Sequence, residues 1–394
     1  MNNLLFAGAA ALLLASPALA QTPRPLDRDE IVVVGARLSD LEADLARCVA
    51  GECGVREDVI ASVRYAEAMF RNGDYRTARS VLARSVSRTR KGADSDPFAV
   101  AELHTARATI AWHYGDQREA LRATSASTRL LNKHVPDSPN ALMARMRMIS
   151  AQAQNFSAGH TRDRLKALSD DAQSAGQPLI ALRADLGRAS MLHNQGQPKE
   201  AQMLLDAVAA STAPNSQALR LAAQILQMRL AARGGDPQAI ETLIASLTES
   251  QKQLGPVLVW SPEFPTPDGG GNIPLASPRG LDARSSDLLG LRWVDIGFAV
   301  GADGRVEDVE VLRGSPRPDW SKPLQRMIAQ RRYTPSANFD DIAGRYRVER
   351  FTLTGDFQVP TGSLIRRRGG PARFEQMDLT AAAPLPTKAS APAG

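Results

Sequence analysis

The sequence predicts an α+β protein of several domains, in which a helical repeat region precedes a small antiparallel β domain. Its 394 residues are enough for two or three domains of ordinary size. From about residue 58 to 253, apolar residues recur every three or four positions, whereas from 292 to 357 apolar and polar residues alternate. A stretch rich in Pro and Gly separates the two regions.

The composition is that of a folded protein. Hydrophobic residues make up 43% and charged residues 23%, which excludes a wholly disordered chain, a collagen and a polytopic membrane protein. The 48 Lys and Arg exceed the 42 Asp and Glu, for a formal net charge of +6. Basic and acidic residues are interspersed and no nucleic-acid-binding motif is present, so we expect no nucleic-acid partner.

Residues 1–20 are predicted to be a signal peptide. The apolar run from Leu4 to Ala15 is too short to span a hydrocarbon core of about 30 Å. Ala18 and Ala20 place small residues at positions −3 and −1 of a cleavage site. No second apolar stretch of this kind follows. We therefore expect cleavage after Ala20 and a periplasmic protein of a Gram-negative bacterium, without a transmembrane segment.

Residues 21–56 are predicted to be an N-terminal segment. Its β-branched run Ile31–Gly35 indicates a short strand. The stretch Leu38–Val49, which follows the strand, is amphipathic and is expected to be helical.

This segment contains both cysteines of the chain, Cys48 and Cys53, and an oxidising compartment favours a disulfide between them. Five residues of continuous helix rise about 7.5 Å, which strains a disulfide. Gly51 and Gly54 therefore predict a turn there. Two unpaired buried thiols are the alternative.

Residues 57–253 are predicted to form helical repeats, because a turn motif recurs about every 40 residues. It reads Gly-Asp-Tyr-Arg-Thr-Ala at 73–78, and related sequences occur at 115–120, 196–201 and, more weakly, 235–240. The gap between 115 and 196 spans two periods and predicts a degenerate copy near Gly159. The glycine would end one helix in the left-handed conformation, and the small Ala five residues later would let the paired helices approach.

This pattern resembles the tetratricopeptide repeat, although the period is longer than the usual ~34 residues. The resemblance is clearest in the first unit, at Tyr65, Ala66, Met69 and Phe70 before the turn and Tyr75, Ala78 and Leu82 after it. It implies a concave groove that binds an extended peptide or a partner helix. An irregular helical bundle is the alternative.

Residues 254–289 are predicted to be a Pro- and Gly-rich linker, and residues 290–358 a domain of the order strand, strand, helix, strand. Alternating residues from Val294 to Val300 predict the first strand. Asp303-Gly304 predicts a hairpin turn, followed by a second strand with a bulge between Val306 and Val309. A helical stripe begins at Trp320, and Tyr346 to Phe357 alternates as the third strand of an antiparallel sheet.

The sequence VDIGFAVGADGRVEDVEVLRG, the short helix, RRYTPS and VERFTLTGDF together resemble the C-terminal domain of the TonB energy-transducer family. The match covers about 70 residues, and Asp303-Gly304, Val309, Val311, Tyr333 and Pro335 fall at the family's positions. Two family features are missing: a Tyr-Pro pair before the first strand, and an uncleaved N-terminal membrane anchor.

The TonB resemblance implies that the third strand is an exposed sheet edge that pairs with the TonB box of an outer-membrane receptor. On that basis Tyr346, Val348, Arg350 and Thr352 are the predicted partner-binding residues. Asp29–Gly35 in turn resembles the short strand near the mature N-terminus of many TonB-dependent receptors. It could be donated to a partner or to the protein's own sheet, and an ordinary N-terminal strand is the alternative.

No pattern of catalytic, cofactor-binding or metal-binding residues is recognisable. The five histidines show no metal-ligand spacing, and no nucleophile elbow or phosphate-binding loop precedes a helix. The acidic pairs Glu307-Asp308 and Asp340-Asp341 are expected to be solvated charges. Residues 359–394, rich in Pro, Ala, Gly and Arg, predict a disordered tail.

The sequence therefore predicts a non-enzymatic periplasmic protein that binds proteins, without cofactor or metal. Its sheet domain would contact a TonB-dependent receptor, and its repeats would bind a second partner in their groove. One alternative is a structural scaffold of the envelope, whose sheet domain only self-associates or packs on the repeats. The other alternative is an enzyme with an unrecognised site.

Overall fold

The computed structural model describes residues 37–231, 236–252, 254–263, 291–316, 318–335, 345–358, 362 and 367–380. The predicted signal peptide, the strand at 31–35, Asp340-Asp341 and most of the predicted linker lie outside these residues. No helix in the described part is both long and apolar enough to cross a membrane.

The described helices lie where the periodicity predicted them. They are α1 Leu38–Val49, α2 Val55–Arg71, α3 Tyr75–Thr89, α4 Pro97–Tyr114, α5 Gln117–His134, α6 Pro139–Gln152, α7 Ala158–Ser174, α8 Pro178–Asn194, α9 Pro198–Ala209, α10 Gln217–Ala231, α11 Pro237–Ala245, α12 Glu249–Lys252 and α13 Lys322–Ala329. The strands are β1 Leu258–Trp260, β2 Arg292–Val300, β3 Val306–Gly314, β4 Arg332–Tyr333, β5 Tyr346–Gln358 and β6 Arg367–Asp378.

The turn between α1 and α2 holds the predicted disulfide. α1 ends at Val49, Gly51 takes a φ of +88°, and α2 begins at Val55. The chain reversal brings the Cα atoms of Cys48 and Cys53 to 4.7 Å, and their sulfurs are bonded. The disulfide prediction and its turn are both confirmed.

We expect the disulfide to contribute about 2 kcal/mol to stability, because it removes the loop-closure entropy of a short loop from the unfolded chain. The double variant Cys48→Ala/Cys53→Ala should lower the free energy of unfolding in urea by that amount. Adding a reductant should lower the wild-type value equally and leave the variant unchanged. A wild-type protein that is insensitive to the reductant would contradict this expectation.

The repeats consist of five helical pairs, α2–α3, α4–α5, α6–α7, α8–α9 and α10–α11. Three of the predicted turn glycines, Gly73, Gly115 and Gly196, have φ values of +81°, +83° and +76°. The Asp after the first two of them caps the next helix with its side chain. The alanines five residues after these glycines are fully buried between helices, as the motif predicted.

The degenerate third copy lies at residues 155–157 and not at Gly159, which is in the first turn of α7. Ser157 takes the place of the capping Asp and accepts a hydrogen bond from His160 N. Thr161, at the position of the small Ala, is buried. The degenerate copy therefore lies near Gly159 as predicted, but it retains the capping residue of the motif and not its turn glycine. Gly235 lies outside the described residues.

The first helices of the pairs lie side by side along the stack. α2 contacts α4, α6 contacts α8, and α8 contacts α10, so the first helices of neighbouring pairs are close together. In a helical repeat array, such helices line the concave surface. α1 covers the outer side of α2 at one end of the stack, while β1 and α12 cover α10 at the other end.

The sheet domain contains the predicted strand, strand, helix and strand, but its sheet has four strands and not three. All neighbours are antiparallel, in the order β3-β2-β5-β6. The register shift between Gly297 and Ala299 confirms the predicted bulge in β3. Two predictions are wrong here: β6 lies in the predicted disordered tail, and β1 in the predicted linker pairs with β4.

β6 escaped prediction because its composition of Arg, Gly and Pro lacks strand periodicity. It is held by partners that are distant in sequence: it pairs with β5 from Glu349–Asp378 to Gly355–Ala372, and the ring of Phe374 stacks on Trp320. Residues 381–394 of the predicted tail lie outside the described residues.

Both faces of the sheet are covered within the chain. Alternate residues of β2 and β5, such as Ile296 and Phe351, form a core with Leu324 and Ile328 of α13. The intervening residues point to the opposite face. That face lies against the turns of the first two helical pairs, which brings the two parts of the molecule into direct contact.

Candidate protein-binding site

The predicted partner-binding strand is not a sheet edge. β5 lies between β2 and β6, so both sides of its backbone are paired within the chain. Arg350 and Thr352 are fully buried, Tyr346 donates a hydrogen bond to Glu310 at 3.0 Å, and the Val348 carbonyl accepts one from Leu379 N. The prediction of an exposed ladder is therefore wrong from Val348 to Thr352, because β6 and Leu379 occupy that side of β5, whereas Tyr346 precedes the stretch paired with β6.

Arg350 instead joins the sheet to the repeats. Its guanidinium makes a bidentate pair with the buried Asp295, with Nε–Oδ1 and Nη2–Oδ2 distances of 2.6 and 2.8 Å. It also donates to the carbonyls of Phe70 and Arg71, at the C-terminal end of α2. A helix C-terminus has unpaired carbonyls and partial negative charge, so a cation is stabilised there.

Aromatic rings enclose this guanidinium. Its carbon lies 4.1 Å from the ring centre of Trp293 and 5.0 Å from that of Phe70. Trp293 in turn lies against the backbone of Gly73, the turn glycine of the first helical pair, where a side chain would collide with the indole. Sequence reasoning missed Asp295, Trp293 and this role of Gly73, because Arg350 and Asp295 are 55 positions apart in the chain and the contacts with the repeats join residues about 220 to 280 positions apart.

Thr352 forms a second link, to both of the first two helical pairs. Its hydroxyl lies 3.0 Å from the Tyr75 hydroxyl and 3.0 Å from His113 Nδ1. Burial at this contact raises the pKa of Tyr75. Phe357, farther along β5, stacks on Tyr114 at the end of α4. β5 therefore runs across the ends of α2 and α4 and fixes the sheet to both.

The last helical pair is also tied to the sheet domain. Arg229 of α10 donates to the carbonyls of Val259 and Leu258 in β1, at 2.6 and 2.9 Å, and its burial lowers its pKa to about 10. Arg332 of β4 pairs with Glu241 of α11 at 2.6 Å. The same small domain thus contacts the first two pairs and the last pair of the stack.

The concave surface between these contacts carries acidic side chains on its first two helices and basic side chains in its middle. Glu67 of α2 and Glu102 of α4 lie on it, and desolvation by the surrounding protein together with the charge of Glu102 raises the pKa of Glu67. In the middle lie Arg147 of α6 and Arg183 of α8. Met143, one helical turn from Arg147, has its sulfur 3.6 Å from Arg183 Nη1, so both arginines adjoin Met143, and together they are called the basic patch.

Neither arginine of this basic patch forms an ion pair with a described residue. Arg147 is exposed, and the surrounding protein lowers its pKa by desolvation. Arg183 is half-buried, and its Nε is buried without a hydrogen-bond partner among the described residues. A half-buried guanidinium without a counter-charge is energetically unfavourable, and this applies to Arg183.

His104 of α4 predicts a pH dependence of stability. Burial lowers its pKa to about 4, with smaller contributions from Arg107 and Arg129. In the unfolded chain the pKa of His104 is about 6.5. Between about pH 6.5 and pH 4 the unfolded chain therefore binds a proton at this residue that the folded protein does not bind, so stability falls as the pH drops through this range. Between pH 7 and 4.5, wild type should lose about 1–3 kcal/mol more than His104→Gln in urea unfolding. Parallel pH profiles would contradict this.

No catalytic arrangement is evident in the described part of the chain. It contains no group of three or more His, Cys, Asp or Glu side chains that could hold a metal ion. His113 hydrogen-bonds Thr352, and His134 contacts Asp94 on the surface. What the described surfaces offer is a charged concave groove and the two outer strands of the sheet, which are features that bind other polypeptides.

Comparison with known proteins gives structural likenesses only. No family profile matches the chain, and no curated protein matches it. Among solved structures, kinesin light chain TPR-like repeats from Podosopora anserina share 18% identity over 51% of this chain and 99% of theirs, with a TM-score of 0.41. BtubC from P. vanneervenii shares 14% identity over 57% of this chain and 91% of its own, with a TM-score of 0.43.

A third likeness is to a Rap protein in complex with Competence and Sporulation Factor. It shares 11% identity over 52% of this chain and 58% of the Rap chain, with a TM-score of 0.37. In the present chain, the TPR-like character rests on its own geometry: paired helices, left-handed turn glycines and buried alanines at a period of about 40 residues.

Proposed function

We propose that this protein is a non-enzymatic scaffold that binds other proteins, and that the concave surface of its repeats is the main binding site. The observation that carries the proposal is the basic patch of Arg147 and Arg183, which has no acidic partner among the described residues. Its ligand would be an extended segment with acidic side chains, because carboxylates pair with guanidinium groups in bidentate geometry.

We place this function in the periplasm. The signal-like residues 1–20 support export, and the disulfide between Cys48 and Cys53 is of the kind that forms in an oxidising compartment. Purification of the protein from separated cellular fractions, followed by N-terminal sequencing, tests this. A mature chain that begins at Gln21 in the periplasmic fraction supports the proposal, and an uncleaved chain in the cytoplasm contradicts it.

The groove is tested by comparing two double variants with the same change of charge. Arg147→Glu/Arg183→Glu reverses the basic patch, whereas Arg84→Glu/Arg122→Glu reverses two exposed arginines on second helices α3 and α5. Proteins captured from periplasmic extract by wild type and by both variants are quantified by mass spectrometry. A partner lost only with the groove variant supports the proposal. A set of captured proteins unaffected by the groove variant contradicts it.

A second candidate is contact with a TonB-dependent receptor by strand addition. It is favoured by the two outer strands β3 and β6, which leave one side of each backbone without a neighbouring strand in the described sheet. Titration calorimetry with a peptide of the sequence DEIVVVG tests whether such a segment is accepted. No heat at high micromolar peptide concentration would contradict this candidate and leave the groove proposal standing.

The structure also supports part of the alternative scaffold function. The sheet domain packs on the repeats through Arg350 and Thr352, which is the packing that this alternative requires. An enzymatic function gains no support from the described residues.

A further inference from the structure

The face of the sheet that packs on the repeats is covered over only part of its length. Along β5, Phe357 contacts the end of α4, and Arg350 contacts the end of α2. Arg350 is fully buried, whereas Val348 and Tyr346, which precede it on the same face, are only half-buried. β5 therefore extends past α2, toward the outer side of the stack where α1 packs on α2.

The end of this face that extends past α2 is apolar. Leu312 of β3 is 44% exposed. A Cβ on Gly297 would lie 3.2 Å from Leu312 Cδ1 and 2.9 Å from Tyr346 Cζ, so both side chains occupy this face of the sheet. Val348 is the register partner of Gly297 in β5 and points to the same face. We call Leu312, Tyr346 and Val348 the sheet patch. The Tyr346 hydroxyl already donates to Glu310, so the sheet patch offers mainly hydrocarbon to a neighbour.

α1 brings a further segment of the chain to this end of the sheet. α1 and α2 pack side by side and are joined by the short disulfide-bonded turn, so they run antiparallel. The start of α1 at Leu38 therefore lies toward the C-terminal end of α2, which is the end that contacts the sheet. Val34 is four residues from Leu38, a separation that extended chain spans in at most about 14 Å.

We propose that the run Ile31–Val34 of the same chain packs on the sheet patch. Its four residues are all β-branched, which favours an extended conformation whose side chains alternate between two faces. One face would cover the sheet patch, and removal of hydrocarbon from water on both sides of the contact supplies the free energy. Gly35, between the run and α1, gives the backbone the freedom to turn toward the sheet.

The other chain end near the sheet patch fits it less well. The Thr380 hydroxyl accepts a hydrogen bond from Val348 N, so residues 381–394 also leave the sheet close by. Leu385 is the only large apolar residue in that stretch, and it stands between Pro384 and Pro386. A partner that binds the sheet patch would have to displace Ile31–Val34, so the run controls access to this surface.

The inference is independent of the groove proposal and is tested by photo-crosslinking in the full chain. Leu312→p-benzoylphenylalanine places a benzophenone on the sheet patch, where irradiation joins it to nearby C–H groups. Proteolysis and mass spectrometry should locate the product within residues 21–36. Its yield should not change over about a hundredfold dilution, because the contact is intramolecular. The control is the same substitution at Met203, which is 72% exposed on α9 and should give no product with residues 21–36.

Two variants in the Leu312→p-benzoylphenylalanine background identify which end of the chain occupies the sheet patch. Ile31→Ser, Val32→Ser, Val33→Ser and Val34→Ser together should lower the yield of this product by at least about tenfold, because the hydrocarbon that holds the segment is removed. Leu385→Ser should leave the yield unchanged. The inference would be overturned by a product in residues 381–394 or in a second molecule, by no product in residues 21–36, or by an undiminished yield in the serine variant.

Discussion

Replacing Arg350 by Met is expected to lower the free energy of unfolding by about 3–5 kcal/mol. The substitution keeps much of the side-chain volume but leaves the fully buried Asp295 carboxylate without its bidentate partner. It also leaves the carbonyls of Phe70 and Arg71 without a donor. Removing one partner from a buried ion pair destabilises by this amount, because the remaining charge cannot be solvated. Urea unfolding monitored by circular dichroism measures the change.

The matched control is Arg313→Ala, which removes the other arginine on Asp295. Arg313 Nε lies 2.7 Å from Asp295 Oδ2, but its side chain is 47% exposed. Exposed ion pairs are worth no more than about 1 kcal/mol, so this variant should change stability far less. If the two substitutions cost the same, the buried contact with α2 is not what stabilises the docked sheet.

Hydrogen exchange of the Arg350→Met variant shows which helices lose protection. Arg350 binds the last turn of α2, so its loss should increase hydrogen exchange around Phe70 and Arg71 more than in α8, which it does not touch. Equal protection in both helices would show that the sheet remains docked without the guanidinium.

The sequence predicts local structure well because local signals suffice for it. The helices follow from apolar spacing, and the turns follow from Gly73, Gly115 and Gly196 with their capping residues. The disulfide follows from Gly51 and Gly54, which exclude a continuous helix between the cysteines. Each of these inferences uses residues within a few positions of one another.

The candidate site was predicted poorly because it depends on distant partners. From the alternation of β5 alone, Arg350 and Thr352 could equally well face a partner protein or the chain's own helices. Whether β5 is an edge depends on β6, whose sequence does not resemble a strand. One signal was available: Arg350 and Asp295 each interrupt an alternating strand with a charge, and complementary charges on two strands of one sheet indicate a buried pair.

The contacts at both ends of the stack give the sheet domain a mechanical role beside any binding of its own. Arg350 and Thr352 hold it to α2 and α4, while β1 and β4 hold it to α10 and α11. A change in curvature of the repeats must therefore strain one of these attachments. If the proposed groove binds a ligand that prefers one arrangement of the helices, the ligand would shift the docking equilibrium of the sheet by its differential affinity for the two states.

The contact of Trp293 with Gly73 predicts the second large effect, for Gly73→Ala. A Cβ at this position would lie 2.5 Å from the Nε1 and Cε2 atoms of the indole, which no real contact tolerates. The residue also has a φ of +81°, where a side chain is strained by about 1–2 kcal/mol. Together with overpacking, which costs about 1–3 kcal/mol, we expect a loss of about 2–5 kcal/mol in urea unfolding.

Gly196→Ala separates the two causes of this loss. Gly196 lies in the turn between the two helices of the fourth pair and has nearly the same φ, +76°. A Cβ there would meet nothing within 4 Å. This variant should show the backbone strain alone, and the difference between the two variants is the cost of displacing Trp293. When Gly73→Ala is introduced into the Trp293→Ala variant, its further cost should fall to that of Gly196→Ala, because the space is vacated. If the losses of stability from Gly73→Ala and Trp293→Ala were strictly additive, the indole would not rest on the turn. The sheet would then be held to the repeats by Arg350 and Thr352 without a contribution from Trp293.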